Sequence, residues 1–264
     1  MNRINYKKAL LALAYRLAWP RNHKCILCAH SFFRYLPYRK GSLHSAPLMR
    51  ALDVVGSDTD RFSCPWCGCH DRERHLYMYM NASGIFDAIT NRSVLHFAPE
   101  RRLSERIVSA GPEKYIKCDF MPQAIDVMPV DILDIPFNDC SFDILIANHV
   151  MEHVADDARA LTEIYRVLKP GGYAILQTPY SSKLQKTWSD PGIDTDECRY
   201  QAYGQEDHVR LYGLDIFERY KLSGLSSCVK WHDELLGDFD GWSYGVNENE
   251  PFFLFMRKQM EFDR

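Results

Sequence analysis

Phe142-Asp-Ile-Leu-Ile-Ala147, the span from Asp156 to Leu168, Lys169-Pro-Gly-Gly172 and Tyr173-Ala-Ile-Leu-Gln-Thr178 follow one another in the stretch on which the fold turns. Six residues with only one polar position fit a strand buried on both faces, as strands inside parallel sheets are. Leu161, Ile164, Tyr165 and Leu168 recur at helical spacing, and two acids, Asp156 and Asp157, stand where a helix N-terminus favours negative charge. Lys-Pro-Gly-Gly stops that helix, and a second apolar strand follows. A strand, a crossover helix and a strand make a parallel pair.

The pattern continues upstream. Val94-Leu-His-Phe97 reads as a short apolar strand, Glu100 to Ala110 as a helix with Leu103, Ile107 and Val108 on one face, and Gly111-Pro112 as its stop. Lys114-Tyr-Ile-Lys-Cys118 is a further strand, ending at Asp119. Strands alternating with helices predict an α/β domain around an open, mostly parallel sheet, with ligands at the carboxyl ends of the strands.

The amino-terminal part has a different character. Residues 1–80 carry 13 Lys and Arg against 5 Asp and Glu, a net +8, while the remainder carries −11, so the overall −3 conceals a basic piece. Such a piece can meet a polyanion or present a solvated face. The 264 residues, 46% hydrophobic and 25% charged, suffice for a packed core and exclude a disordered or collagen-like chain. No apolar run reaches the roughly 20 residues of a membrane span; the best, Ala9 to Trp19, is broken by Arg16. Within residues 1–22, Leu10, Leu13, Ala14 and Leu17 fall at helical spacing beside Lys7 and Arg16. This predicts an amphipathic helix docked on its own domain or, as a second reading, peripheral contact with a membrane surface through residues 1–19.

Nine cysteines, an odd number, argue against a secreted disulfide framework and for a reducing, cytoplasmic setting. Cys25-Ile-Leu-Cys28 and Cys64-Pro-Trp-Cys67 are two pairs, each able to wrap a turn that aims both sulfurs at one metal, and four thiolates complete a structural zinc site. The 35 residues between the pairs leave Cys69, His70 or His30 as a possible replacement ligand. Residues 23–80 are thus expected to form a zinc-binding module closed by a linking helix, Asp71 to Met80, with turn residues over 81–92 before the main domain at 92–258.

Asp131-Ile-Leu-Asp-Ile-Pro-Phe-Asn-Asp-Cys-Ser-Phe-Asp-Ile-Leu-Ile-Ala-Asn-His-Val-Met-Glu-His153, followed by Tyr165-Arg-Val-Leu-Lys-Pro-Gly-Gly172, resembles the core of class I S-adenosylmethionine-dependent methyltransferases. The resemblance runs from about Ser93 to Lys258 and implies a Rossmann-like fold with final strands at Leu225 to Trp231 and Phe252 to Arg257. The paired cysteines, Arg72-Glu-Arg-His75, Leu95-His-Phe-Ala-Pro-Glu100 and Asp207-His-Val-Arg-Leu-Tyr-Gly213 are similar to uncharacterised bacterial methyltransferases, some encoded among surface-polysaccharide genes.

The resemblance implies that Asp119 holds the ribose hydroxyls, Asp131 accepts from the adenine amino group, the backbone of Ile132 meets the ring edge and Asn148 lies near the reactive methyl. Turn or cap roles are the alternatives for the two acids. Two departures stand out. The first loop, His96-Phe97-Ala98-Pro-Glu100, lacks the family's glycines, so Ala98 must allow close approach and Glu100 either meets the cofactor's amino group or caps a helix. Only 11 residues separate Asp119 from Asp131, so the usual helix there is absent or reduced to a turn.

A hydroxyl or amine acceptor must lose a proton as the methyl is transferred. His208, beside Glu206 and Asp207 in the stretch that covers the acceptor pocket in the family, is the leading base, with His149 second, and Arg210 able to orient an anionic acceptor. The alternative is a structural cluster of Asp207, His208 and Arg210 pinning a lid. Glu152 and His153 are expected to brace a helix entrance, and Trp188, Tyr200 and Tyr203 to stack an acceptor or pack the insertion. The reading is a methyltransferase of a small molecule or glycan with structural zinc; an RNA methyltransferase and a non-catalytic binding protein are its rivals.

Overall fold

The computed structural model describes residues 3–259. Five parallel strands, β1 (Ser93–Phe97), β2 (Lys114–Asp119), β3 (Met128–Pro129), β4 (Phe142–Ala147) and β5 (Leu168–Ile175), are joined by β6 (Leu225–Ser227) and β7 (Leu254–Arg257) in one sheet of order β6-β7-β5-β4-β1-β2-β3. Only β7 runs against its neighbours. The strand order reverses between β1 and β4, which places a crevice at the carboxyl ends of these two strands.

Alternation along the strands divides the core. Leu95, Phe97, Leu145 and Ala147 face one side and pack with Leu161, Ile164 and Val167 of helix α4, while Val94, Ile144, Ile146 and Ile175 face the other. In chain order the helices that matter are α1 (Arg3–Leu17), α2 (Asp71–Ala82), α3 (Arg101–Ser109), α4 (Asp157–Val167) and α5 (Asp196–Tyr203). The Asp156 carboxylate caps α4 by accepting from Arg159 N. Lys169-Pro-Gly-Gly172, read as the stop of the helix before it, does follow the end of α4 and lies inside β5, opposite an irregular register step between Phe142 and Ile144. Gly172 is required there, because a Cβ would meet Lys169 O at 2.8 Å and Asp143 O at 2.9 Å.

The helix read as a linker, α2, is part of both halves. Leu76, Tyr79 and Met80 pack on the sheet with Phe252 and Leu254. From the same helix the fully buried Arg74 guanidinium donates to the carbonyls of Arg61, Phe62 and Cys69 in the cysteine segment and of Tyr244 and Gly245 near the carboxyl end. Between β2 and β3 there is no helix, only turns, as the short spacing of Asp119 and Asp131 demands.

The expectation that α1 docks on its own domain through its leucines is corrected. The helix forms, but Leu10, Leu13 and Leu17 are exposed, as are Tyr6 and Trp19, and Ala12 is its buried side chain. The helix is held instead by Arg16, whose Nε donates to Pro65 O and whose guanidinium covers the Trp66 ring, and by Tyr15 against Phe33. Among the described residues no helix is long and apolar enough to cross a membrane; residues 1–2 of the expected 1–22 segment lie outside the described residues.

Candidate active site and cysteine cluster

The loops after β1 and β4 meet at the switch point. Ala98 takes φ +47° and donates its N–H to Cys118 O (2.8 Å), so the loop makes without glycine the left-handed turn that glycine favours. Glu100, at the N-cap of α3, accepts from Asn148 Nδ2 through Oε1 (2.5 Å) and stands 3.2 Å from His96 Nε2 through Oε2. Burial would raise the Glu100 carboxyl, but the His96 hydrogen bond and charge outweigh it and hold it below the usual range. His96 itself is fully buried between Glu100 and Tyr115 Oη (2.8 Å). It positions Glu100 from behind, and Phe97 belongs to the core. Asn148 Oδ1 is buried with no hydrogen-bond partner among the described residues and lies in the same crevice wall.

Asp119 and Asp131 flank this crevice at the ends of β2 and β3. Each uses one carboxylate oxygen on its own turn: Asp119 Oδ1 accepts from Met121 N and Asp131 Oδ1 from Leu133 N, both at 2.9 Å. The turn role is therefore real for both, and the second oxygen of each carries no such bond among the described residues. Ile132 turns its side chain into the core beside them.

Beside Asn148 the chain enters a cavity of about 660 Å³ lined by residues of the amino-terminal segment and of the insertion after β5, among them Gly56, Arg72, His149, Pro179, Tyr203 and His208. His149, at φ +55°, forms its inner wall. Its imidazole lies 3.3 Å from Glu152 Oε1 and 3.3 Å from Glu250 Oε1. Burial alone would lower the imidazole and raise the carboxyls, but the ion pairs win, pushing His149 up to about 9 and holding both acids at about 2. At neutral pH His149 is thus a cation and cannot take a proton. Glu250 continues inward to His75 Nδ1 (3.2 Å), and His75 Nε2 to His232 Nδ1 (3.0 Å).

His208 is buried, with Nδ1 2.9 Å from Tyr203 O and Nε2 2.8 Å from Gln205 Nε2. Burial pushes its imidazole down, so it is neutral at pH 7. Arg210 behaves differently from the anion-orienting expectation. Its buried guanidinium donates to Met151 O, Val154 O and Ala155 O, which clamps the segment leading into α4. The structural alternative fits it, because every one of those bonds points into the protein. Tyr203 packs edge-on to Trp188 (5.5 Å), which holds the insertion together, and Tyr203 and Tyr200 both line the cavity.

Sequence reasoning gave no role to Arg72 or to the buried acid Glu250. Arg72 lines the cavity, and its Nε is buried without a partner among the described residues. The Arg-Glu-Arg-His run was visible, but nothing in it separates Arg72, which faces the cavity, from Arg74, which faces the core. Glu250 reaches the site from a loop about 100 residues after His149, a proximity that no local pattern encodes.

In the amino-terminal segment the sulfurs of Cys25, Cys28, Cys64 and Cys67 converge within 4.8 Å of one another. Cys25–Cys67 and Cys28–Cys64 are each 3.8 Å apart, the separation that a tetrahedral ion with ~2.3 Å bonds to sulfur requires. Of the possible replacements, His30 stacks on Trp66 and His70 on Phe62, both away from the sulfurs, while Cys69 Sγ lies 3.4 Å from Cys25 Sγ.

Residues 103–176 match the family described as the methyltransferase domain. A chloroplastic 2-phytyl-1,4-beta-naphthoquinone methyltransferase of Arabidopsis thaliana is 37% identical over 68 residues, 26% of each chain. A demethylmenaquinone methyltransferase of Listeria welshimeri is 35% identical over 141 residues, 53% of this chain and 52% of that one, and a malonyl-[acyl-carrier protein] O-methyltransferase of Erwinia billingiae is 34% identical over 74 residues, 28% and 30%. The chain thus spans between a quarter and about half of the length of these relatives. The matched segment contains α3, β2, β3, β4, α4 and β5. Residues 103–176 thus match a methyltransferase domain, set within a Rossmann-like sheet.

Proposed function

We propose that the chain transfers a methyl group from S-adenosylmethionine to an oxygen or nitrogen of a small molecule or glycan held in the cavity beside His149. The observation that carries this reading is the Glu100–Asn148 bond, which ties the loops of β1 and β4 at the switch point directly next to that cavity. The cofactor supplies a methyl group activated on a sulfonium. The residues that fit it are the backbone at Ala98, the Glu100 carboxylate, the free oxygens of Asp119 and Asp131, the backbone of Ile132 and the orphaned Asn148 Oδ1. Arg72, with no carboxylate partner among the described residues, adds a cation for an anionic group in the cavity.

The acceptor's proton passes to His208, the neutral imidazole on the cavity wall, whose Nδ1–H is fixed by Tyr203 O. Arg210 and the buried acids act as positioning groups. Cys25, Cys28, Cys64 and Cys67 hold a structural zinc ion that fixes the segment forming the cavity's outer wall, and the methyltransferase unit covers 92–258 with residues 23–80 as the zinc module. Incubating the zinc-replete chain with methyl-labelled cofactor and fractionated extracts tests this. Label entering small-molecule or glycan fractions supports the reading; label entering RNA replaces it with the RNA reading, and no cofactor retention by the folded chain removes it.

A further inference from the structure

Glu152, in the segment leading into α4, is 1% exposed, and neither carboxylate oxygen has a hydrogen bond among the described residues. The His149 imidazole stands 3.3 Å from Oε1, but Oε2 is left without a donor, a costly state for a buried carboxylate. Besides His149, two imidazoles face it: His153 Nε2 and His208 Nε2 each lie 4.0 Å from Glu152 Oε1, and the three groups converge within 4.8 Å. They come from different parts of the chain, a turn after β4 and the insertion after β5.

The far side of each ring is already occupied. His208 Nδ1 is 2.9 Å from Tyr203 O and His153 Nδ1 is 3.3 Å from Asp207 Oδ2. An Nδ1–H donated outward to a carbonyl or carboxylate leaves the Nε2 lone pair free, and it is the arrangement that orients histidine ligands around metals. We infer that Glu152, His153 and His208 form a second metal site, separate from the sulfur cluster, that takes a divalent transition-metal ion. Two imidazole nitrogens and one carboxylate oxygen suit zinc, cobalt or iron(II) rather than magnesium or calcium.

Bonds of ~2.0–2.2 Å from such an ion put its ligands roughly 3.3–3.6 Å apart, so the two 4.0 Å separations close by about half an ångström on binding. One side chain must move. Gln205 Nε2, 2.8 Å from His208 Nε2, now occupies that lone pair, and it sits on the cavity wall with room to swing away. Because His208 lines the cavity, an ion held by three protein ligands turns its open positions toward the acceptor. With the ion bound, His208 Nε2 is a ligand and no longer the proton acceptor, and the ion takes over that task by making a bound acceptor hydroxyl more acidic, a consequence that rests on the methyl-transfer reading; the metal site itself does not.

The experiment uses the full chain with the sulfur cluster filled with zinc, without cofactor or acceptor, titrated with cobalt(II) and followed by calorimetry and visible absorption. The expected result is one further equivalent per chain, with ligand-field bands and without thiolate-to-cobalt charge transfer. His153→Asn, at a residue whose side chain is 30% exposed, should lower that affinity at least about tenfold, and Asp207→Asn by about 10- to 100-fold through loss of the orienting carboxylate, both with the zinc content unchanged. His208→Ala should abolish the second equivalent, with circular dichroism confirming that the variant is folded. A wild-type chain that takes up no second equivalent, or folded His153→Asn and His208→Ala chains that bind it as wild type does, overturns the inference. Methyl transfer by a wild-type chain lacking the second equivalent would leave the proposed activity standing while removing the site.

Discussion

Replacing Arg74 by methionine removes the group that fastens the cysteine segment to the sheet. The guanidinium over the Tyr35 ring is lost, and five carbonyls, three in the cysteine segment and two near the carboxyl end, lose a charged donor at 2.7–3.1 Å. A hydrogen bond to a charged group contributes about 1.5–3 kcal/mol net, but five on one guanidinium are not additive, and water will reach some of the freed carbonyls. Loss of a buried charged hub of this kind costs roughly 3–5 kcal/mol. In a chain of this size about 1 kcal/mol moves Tm by 2–4 °C, so the midpoint should fall by roughly 6–20 °C. Urea unfolding followed by circular dichroism gives the free energy, and zinc release during the same transition reports whether the cysteine segment detaches first. Arg74→Lys should recover only a fraction, since one ammonium cannot span carbonyls on two segments. A methionine variant within about 1 kcal/mol of wild type would refute the claim that this side chain joins the two parts.

Other outcomes follow from the same structure. Asp119→Ala should weaken S-adenosylmethionine binding by about 1–3 kcal/mol by calorimetry if its second oxygen serves the ribose hydroxyls; unchanged affinity would leave only the turn role. Metal analysis should find one zinc per chain in the wild type and its loss in Cys64→Ser, and unchanged metal content would exclude the four-sulfur site. Leu13→Ser, on the exposed face of α1, should change stability by no more than about 0.5 kcal/mol. Burial would raise the Asp157 carboxyl, but Arg219, Arg210 and Tyr212 outweigh it and lower it. A depressed acid stabilises above its unfolded value and loses this contribution as pH falls through its folded one, so the stability gap between wild type and Asp157→Asn should narrow below about pH 4.

The sheet was legible because its central strands β1 and β4 are buried on both faces and α3 and α4 keep a regular apolar face. Short spacing alone announced that no helix lies between β2 and β3. The apolar face of α1 misled for a physical reason: periodicity reveals that leucines share a side of a helix but not that another surface covers that side, and here Arg16 and Tyr15 make the attachment. The convergence of the cysteine pairs was readable because the two sulfurs of each pair are local in sequence. The cavity was not, since Arg72, His149, Pro179 and His208 are brought together only when the amino-terminal segment and the insertion close over β4 and β5. Arg210 illustrates the same limit. Its position two residues from His208 suggested a ligand contact, and only the three carbonyls around it reveal a clamp.

Titration of the full, zinc-replete chain with S-adenosylhomocysteine tests the central claim most directly. The crevice between β1 and β4 predicts one molecule bound per chain, with affinity at least about tenfold lower, or about 1.4 kcal/mol, in Asn148→Leu, which removes both the bond to Glu100 and the orphaned oxygen. No binding by the folded wild-type chain, or equal binding by the variant, would contradict it.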